Sequence, residues 1–231
     1  MTDTRYSPEA QPALLYDAQR DLYYAKPALR GWLHLIWFEA SLVVGTLLLT
    51  HTHGTGRVAA VAVYVSSVSG LFGVSALYHR GTWTPSWSRL IQRLDHTMIF
   101  VLIAGTATPA FLLTTHGTYR VVSLTVLWVL TLVAVVSHLV WMNAPEILVG
   151  TSFMGLGWVA GLSLPAVWMN AGVAPGVLML AGGTLYTVGA ISYHRRRPDP
   201  APLIFGYHEV FHAFVCCAAT CQYIAIALFV L

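Results

Sequence analysis

The chain has 231 residues, of which 57 % are hydrophobic and only 9 % charged, with a formal net charge of +3. A soluble domain carries about 25 % charged residues, so this composition excludes an ordinary soluble globular fold. The apolar residues come in long blocks, and seven spans of about 20 residues each use nearly the whole length. A single all-α, seven-span domain over residues 1–231 is therefore expected, with no separate soluble domain. The basic residues sit at the edges of the apolar blocks, so no nucleic-acid partner is expected.

Residues 1–28 carry charges and no apolar core of a cleavable leader, so the first span is expected to act as its own insertion signal. Within this N-terminal segment, residues 12–24 (PALLYDAQRDLYY) have the pattern of an amphipathic helix lying on the membrane surface. Spans are predicted at 31–51, 57–78, 96–114, 120–142, 148–169, 173–193 and 209–231. Short loops between them make neighbours antiparallel. The stretch TWTPSWSRLIQRLD reads as the longest inner loop, with its tryptophans and arginines anchored among headgroups. Pro109 and Pro165 are expected to kink their helices. Gly157 and Gly161 in span five, and Gly182, Gly183 and Gly189 in span six, are expected at close helix contacts. Cys216, Cys217 and Cys221 all fall in the last apolar block and read as small buried hydrophobes.

Orientation follows from the basic residues. With the N-terminus inside, the inner segments hold Arg5, Arg20, Lys26, Arg30, Arg80, Arg89, Arg93, Arg195, Arg196 and Arg197. The outer segments hold only Arg57 and Arg120. Basic residues concentrate on the cytoplasmic side of membrane proteins. The reading is N-terminus in and C-terminus out.

This topology gathers a set of polar residues. Span two ends at the inner face with Ser75 and His79, span three begins there with Asp95, and span seven begins there with His208 and His212. His208 and His212, at i and i+4, lie on one helix face about 40° apart. A helix offers two nitrogen ligands to one metal ion in this way. Ionisable groups inside a membrane are expensive and point to function. Histidine is not rare on this side, since His34, His96, His138 and His194 also fall there. What distinguishes His79, His208 and His212 is the i, i+4 pairing and the nearby carboxylate. His96 lies about 100° round the helix from Asp95 and is left out; His138 is the spare ligand. Glu39, about 13 Å into span one at the helical rise, would cost about 2.5–3.5 kcal/mol as a charge in lipid. It is expected to be protonated or to pair with a residue lining the cavity.

The sequence resembles the hemolysin III proteins, the bacterial branch of the progestin and adipoQ receptor family. The matching stretches are RGWLH (30–34), SALYHR (75–80), RLDHTMIFVLIAGTATP (93–109), GGTLYTVGAISY (182–193) and FGYHEVFH (205–212). The resemblance implies seven transmembrane helices, an intramembrane Zn²⁺ and a bacterial inner-membrane location, within a wider group that includes alkaline ceramidases. It implies that His79, His208 and His212 bind zinc, that Asp95 bonds the zinc-bound water, and that Ser75 sits beside it. One departure stands out. The wider family places a Glu and an Asn before the first-span histidine, whereas this chain has no Asn upstream of His34, and its nearest acids there are Asp21 and Asp17.

Three neutral histidines leave zinc a fourth position for water, as in catalytic sites. Asp95 is then a candidate proton acceptor and Ser75 a candidate donor to a developing oxyanion. The function expected is zinc-dependent hydrolysis of an amide or ester bond in a membrane lipid. The alternatives are a receptor-like regulator of membrane state and a pore-forming hemolysin, each with structural zinc. A further rival is literal: His208-Glu209-Val210-Phe211-His212 matches H-E-x-x-H, where Glu is a metalloprotease base. That reading needs a distant Asp ligand in a Leu-Asp-Gly context, and the one Asp after residue 95 is Asp199, in a Pro-rich loop.

Overall fold

Lipid offers no hydrogen bonds, so a spanning segment must satisfy its own backbone, and helices do so. The computed structural model describes residues 14–17, 22–141 and 144–231. Seven of its helical segments are long and apolar enough to cross a bilayer. They are α1 (Trp32–His51), α2 (Thr55–Arg80), α3 (Pro85–Thr114), α4 (Gly117–Val140), a fifth span over Ile147–Asn170, α7 (Val173–Arg195) and α8 (Tyr207–Val230). The fifth span is interrupted, with α5 (Glu146–Gly161) ending before α6 (Leu164–Asn170) begins. Together they make the seven-span membrane bundle expected from the sequence.

Three expectations need correction. The N-terminal segment is not a surface helix where it is described. Leu14–Asp17 (β1) and Leu22–Ala25 (β2) pair antiparallel, with Leu14 opposite Ala25 and Asp17 opposite Leu22. Leu-Leu-Tyr and Leu-Tyr-Tyr are sequences that strands favour; residues 12, 13 and 18–21 of the expected helix lie outside the described residues. The inner loop is also mostly helix. Pro85 occupies the first turn of α3, where its fixed φ is pre-organised and its missing N–H costs nothing. The helix therefore starts eleven residues before the predicted 96. Pro165 likewise stands in the first turn of α6, after the break rather than at a bend within one helix. α3 runs through Pro109 as one element.

α3 is the most buried span and packs against α2, α4, α5, α6 and α8. A Cβ on Gly105 would lie 2.1 Å from Ser67 Oγ, so this α2–α3 contact needs glycine. Gly182 and Gly189 on α7 press closely on Gln222 and Phe214 of α8. Gly157, Gly161 and Gly183 have open space around them instead, so among the described residues the close contacts expected at these three glycines are not made. Beneath the polar cluster described next, Leu71, Phe72, Leu102, Val215, Cys216 and Ala219 join α2, α3 and α8 in one apolar core. Cys216 is buried there as expected, whereas Cys217 is exposed.

One end of the bundle carries Arg80, Arg89, Arg93 and Arg195–Arg197, and is called the basic end below. Its placement in the cytoplasm is the reading of the charge pattern. A reporter fused after Leu231 is expected to be active only outside the cytoplasm. Cytoplasmic activity of that fusion would reverse the orientation.

Candidate metal centre

α2 carries Ser75 and His79 in its last two turns, both buried, at the basic end. α8 starts at Tyr207, so His208 and His212 occupy its first two turns. One ring nitrogen from each of His79, His208 and His212 lies within 4.8 Å of the others. The ring centroids are 4.6–4.9 Å apart. His79 Nε2 and His212 Nδ1 are buried and have no hydrogen-bond partner. A buried polar atom without a partner is costly, and each of these two belongs to a ring of the group. Imidazole nitrogens in such a group are a donor set that divalent transition metals accept. The residues present fit a metal ion.

The carboxylate and hydroxyl are beside it. Asp95, from the third turn of α3, puts Oδ2 3.8 Å from His79 Nε2. The Ser75 hydroxyl is a hydrogen-bond partner of the Asp95 side chain. It also lies 2.8 Å from His34 Nδ1. With Asp95 ionised, the hydroxyl hydrogen points to the carboxylate and His34 Nδ1–H donates to Ser75. This arrangement makes Ser75 a tether for Asp95 and His34.

His34 is the site residue that the sequence reading passed over. Its ring stacks on His212 with centroids 3.7 Å apart and planes 14° from parallel, and it makes a T-shaped contact with Phe72 at 5.1 Å between centroids. The available signal was depth: His34 is the third residue of α1 at the same end as the other histidines. His138, expected as the spare ligand, is elsewhere. It lies against His96 with ring centroids 5.5 Å apart, and its own nitrogens have no hydrogen-bond partner. Asp95 and His96 thus diverge, as the 100° between successive residues requires.

Glu209 has a different task from the one H-E-x-x-H suggests. Arg30 Nε donates to its Oε1 in a buried ion pair across 179 residues of sequence. Its Oε2 accepts the Gly206 N–H at 2.8 Å, capping the N-terminus of α8. Both oxygens are engaged, which removes the free base that the protease reading needs. The pair joins the entrance of α1 to the first turn of α8, one residue from His208. Next to it, Gly31 has φ +79°, and a Cβ there would meet His79 Cβ at 2.7 Å, so glycine lets the start of α1 touch the end of α2.

Removing one partner of a buried ion pair leaves an uncompensated charge and costs about 3–5 kcal/mol. Glu209→Ala and Arg30→Ala should each destabilise the fold by this order. The joint replacement Arg30→Met with Glu209→Leu should recover most of it. Thermal unfolding in one detergent decides the point, and additive losses in the double variant would contradict a coupled pair.

The basic end is closed by main chain. Ala28 and Leu29 donate to the carbonyls of Leu203 and Ile204 at 2.9 and 3.1 Å. Asp199 Oδ1 accepts the Tyr207 N–H at 2.8 Å. Arg80 stacks over Trp32 at 4.1 Å. Lys26 reaches the Arg80 carbonyl at 3.3 Å. Partial burial, with Arg80 and Arg30 nearby, lowers its pKa from the ordinary lysine value.

Comparison with known proteins agrees with this architecture. The sequence model of the family described as "Haemolysin-III related" matches residues 22–223. The chain is 29 % identical over 188 residues to Hemolysin-3 of Bacillus cereus, covering 80 % of this chain and 83 % of that protein. It is 30 % identical over 152 residues to a Hemolysin-3 homolog of Bacillus subtilis (strain 168), covering 63 % of this chain and 68 % of that one. The family match takes in every residue of the polar cluster, from His34 to His212, and all but the last turns of α8. With seven apolar helices and this match along most of its length, the chain is a multi-pass membrane protein of the haemolysin III family.

Proposed function

We propose that the protein is a zinc-dependent hydrolase that cleaves an amide or ester bond of a membrane lipid, working at the cytoplasmic face of a bacterial inner membrane. The observation that carries this reading is the convergence of three histidine nitrogens within 4.8 Å of one another, with a carboxylate 3.8 Å from one of them. His79, His208 and His212 would hold the ion, and zinc when bound supplies Lewis acidity and activates water for attack on a carbonyl.

The chain's own residues do the rest. Asp95 stands beside the histidines as the acceptor for a proton leaving the attacking water. Ser75 holds the Asp95 carboxyl in that position. His34 holds Ser75 and stacks flat on His212, which fixes the ring plane of that histidine. The apolar core under the cluster keeps bulk water out from below. A lipid reaches the cluster from its own leaflet, because the polar residues sit at one end of the spans and not midway.

The test is metal content of the purified protein combined with turnover of a panel of ceramide-like lipids. Zinc-dependent release of fatty acid supports the reading. Bound zinc with no turnover of any amide or ester lipid would move the function to a receptor-like regulator with a structural ion.

A further inference from the structure

The end of the bundle opposite the basic end carries positive charge that no carboxylate side chain of the described residues answers. Arg57 stands there in the first turn of α2 and Arg120 in the first turn of α4. Asp95, Asp199 and Glu209 are at the basic end, where α5 also opens with Glu146. Asp17 lies in β1, ahead of α1. Glu39, about 10 Å along α1 at the helical rise, is exposed on that helix.

Neutral acceptors hold both guanidinium groups in place. Arg57 Nη1 donates to the Val230 carbonyl at 3.2 Å. Arg120 Nε donates to the Thr115 carbonyl at 2.6 Å, and its Nη2 lies 2.8 Å from His116 Nδ1. A helix C-terminus carries about half an elementary charge, so part of each positive charge is left over. Among the described residues neither arginine forms an ion pair.

Both arginines line one cavity of about 370 Å³, together with His53, Gly54, Thr55, Gly56, Leu112 and Leu113. That volume falls in the range of small-molecule sites, roughly 300–1,000 Å³. The start of α2 forms one wall. Gly54 has φ +92°, and no side chain caps the helix behind it. The first intrahelical bond is donated by Val58, which leaves the N–H groups of Thr55, Gly56 and Arg57 without a partner in the helix. A Cβ on Gly54 or Gly56 would meet nothing within 4 Å, so the main chain is open. At the basic end the same two needs are met within the chain: Glu209 pairs with Arg30 and caps α8.

Guanidinium groups beside free helix N–H groups suit an anion with several acceptor oxygens, and phosphate is the common one. Leu112 and Leu113, in the last turn of α3, add an apolar wall. The cavity stands where the spans end, at the level of lipid headgroups. We propose that it binds the phosphate of a phospholipid in the leaflet at that end, with Arg57 and Arg120 on the phosphate oxygens. The site is separate from the metal centre, at the other end of the same helices.

Protection of a cysteine in the cavity tests it, on the full chain in detergent with Cys216→Ala, Cys217→Ala and Cys221→Ala. A water-soluble maleimide labels Gly56→Cys, and the rate is followed as dihexanoyl phosphatidylglycerol is added. The lipid should slow this labelling and leave that of Val173→Cys, exposed at the same end, unchanged. Arg57→Gln and Arg120→Gln should each raise the half-protecting concentration about tenfold, equivalent to about 1.4 kcal/mol and near the low end for hydrogen bonds to charged groups. Arg57→Lys and Arg120→Lys keep the charge and should raise it less, which separates a lost charge from a lost bond to the helix-end carbonyls. The labelling rate without lipid shows whether each variant keeps the cavity. The site is overturned by no protection with the lipid or inorganic phosphate, by equal protection of Val173→Cys, or by a half-protecting concentration that stays at the wild-type value in the double glutamine variant. Inorganic phosphate that protects at the same concentration as the lipid supports the phosphate site and overturns the phospholipid as its source.

Discussion

Protein carrying His208→Ala together with His212→Ala should purify without zinc, against about one ion per wild-type chain. A His₃ site in which two ligands are removed has only His79 left, and one imidazole does not hold zinc through purification. Either single substitution should lose most of the metal, because a bidentate helix face becomes a single point of attachment. Elemental analysis after dialysis against a weak chelator reads the outcome directly. Cys216 lies one turn beyond His212 and packs in the apolar core, so Cys216→Ala should keep the metal and controls for general damage to α8. Full zinc occupancy in the double variant would remove the centre from these residues.

Asp95→Asn should keep the metal and lose the activity. Asparagine can hold the hydrogen bond with Ser75 but cannot take a proton. A positioned general base contributes about 10²–10⁴-fold, so the loss should be of that order in kcat. Ser75→Ala should cost less, since it loosens the Asp95 carboxyl and His34 without removing the proton acceptor. If the ion is structural and the protein a receptor, the same Asp95→Asn change would lower thermal stability or metal retention, and the wild type would turn over no lipid. Measuring zinc, melting temperature and turnover on one preparation separates the two.

Much of the architecture was legible because lipid imposes a simple rule. An apolar run of some 20 residues must become a helix, and the seven runs did so. Depth was legible too, and it brought Ser75, His79, Asp95, His208 and His212 to one end before any packing was known. What sequence did not carry is which way a side chain turns about its helix. His34 shares the depth of the others, but only the packing of α1 on α2 and α8 shows it stacked on His212. His138 shares that depth too and faces His96 instead. Glu209 sits between two histidines in a familiar pattern, yet its carboxylate is spent on Arg30, 179 residues away. The helical period in TWTPSWSRLIQRLD was hidden by tryptophan and arginine, which suit a headgroup loop as well as a helix end. Pro85 was the residue that could have decided it, because a proline after Thr84 opens helices as readily as it breaks them.

The early start of α3 makes the helix a gauge of bilayer thickness. Its 30 residues extend about 45 Å at 1.5 Å per residue, whereas the hydrocarbon layer is about 30 Å thick. The stretch from Asp95 to Thr114 alone measures about 28 Å by the same rise. With Thr114 at one edge of the hydrocarbon, Asp95 would mark the other, and the turns before it, with Trp87, Leu90 and Leu94 exposed, would stand in the headgroup layer. Lipids with longer acyl chains would draw this edge outward and carry the histidine cluster into a drier zone; shorter ones would leave it at the water line. Hydrophobic mismatch of this kind costs fractions of a kcal/mol per ångström, enough for the host membrane's chain length to set how wet the site is.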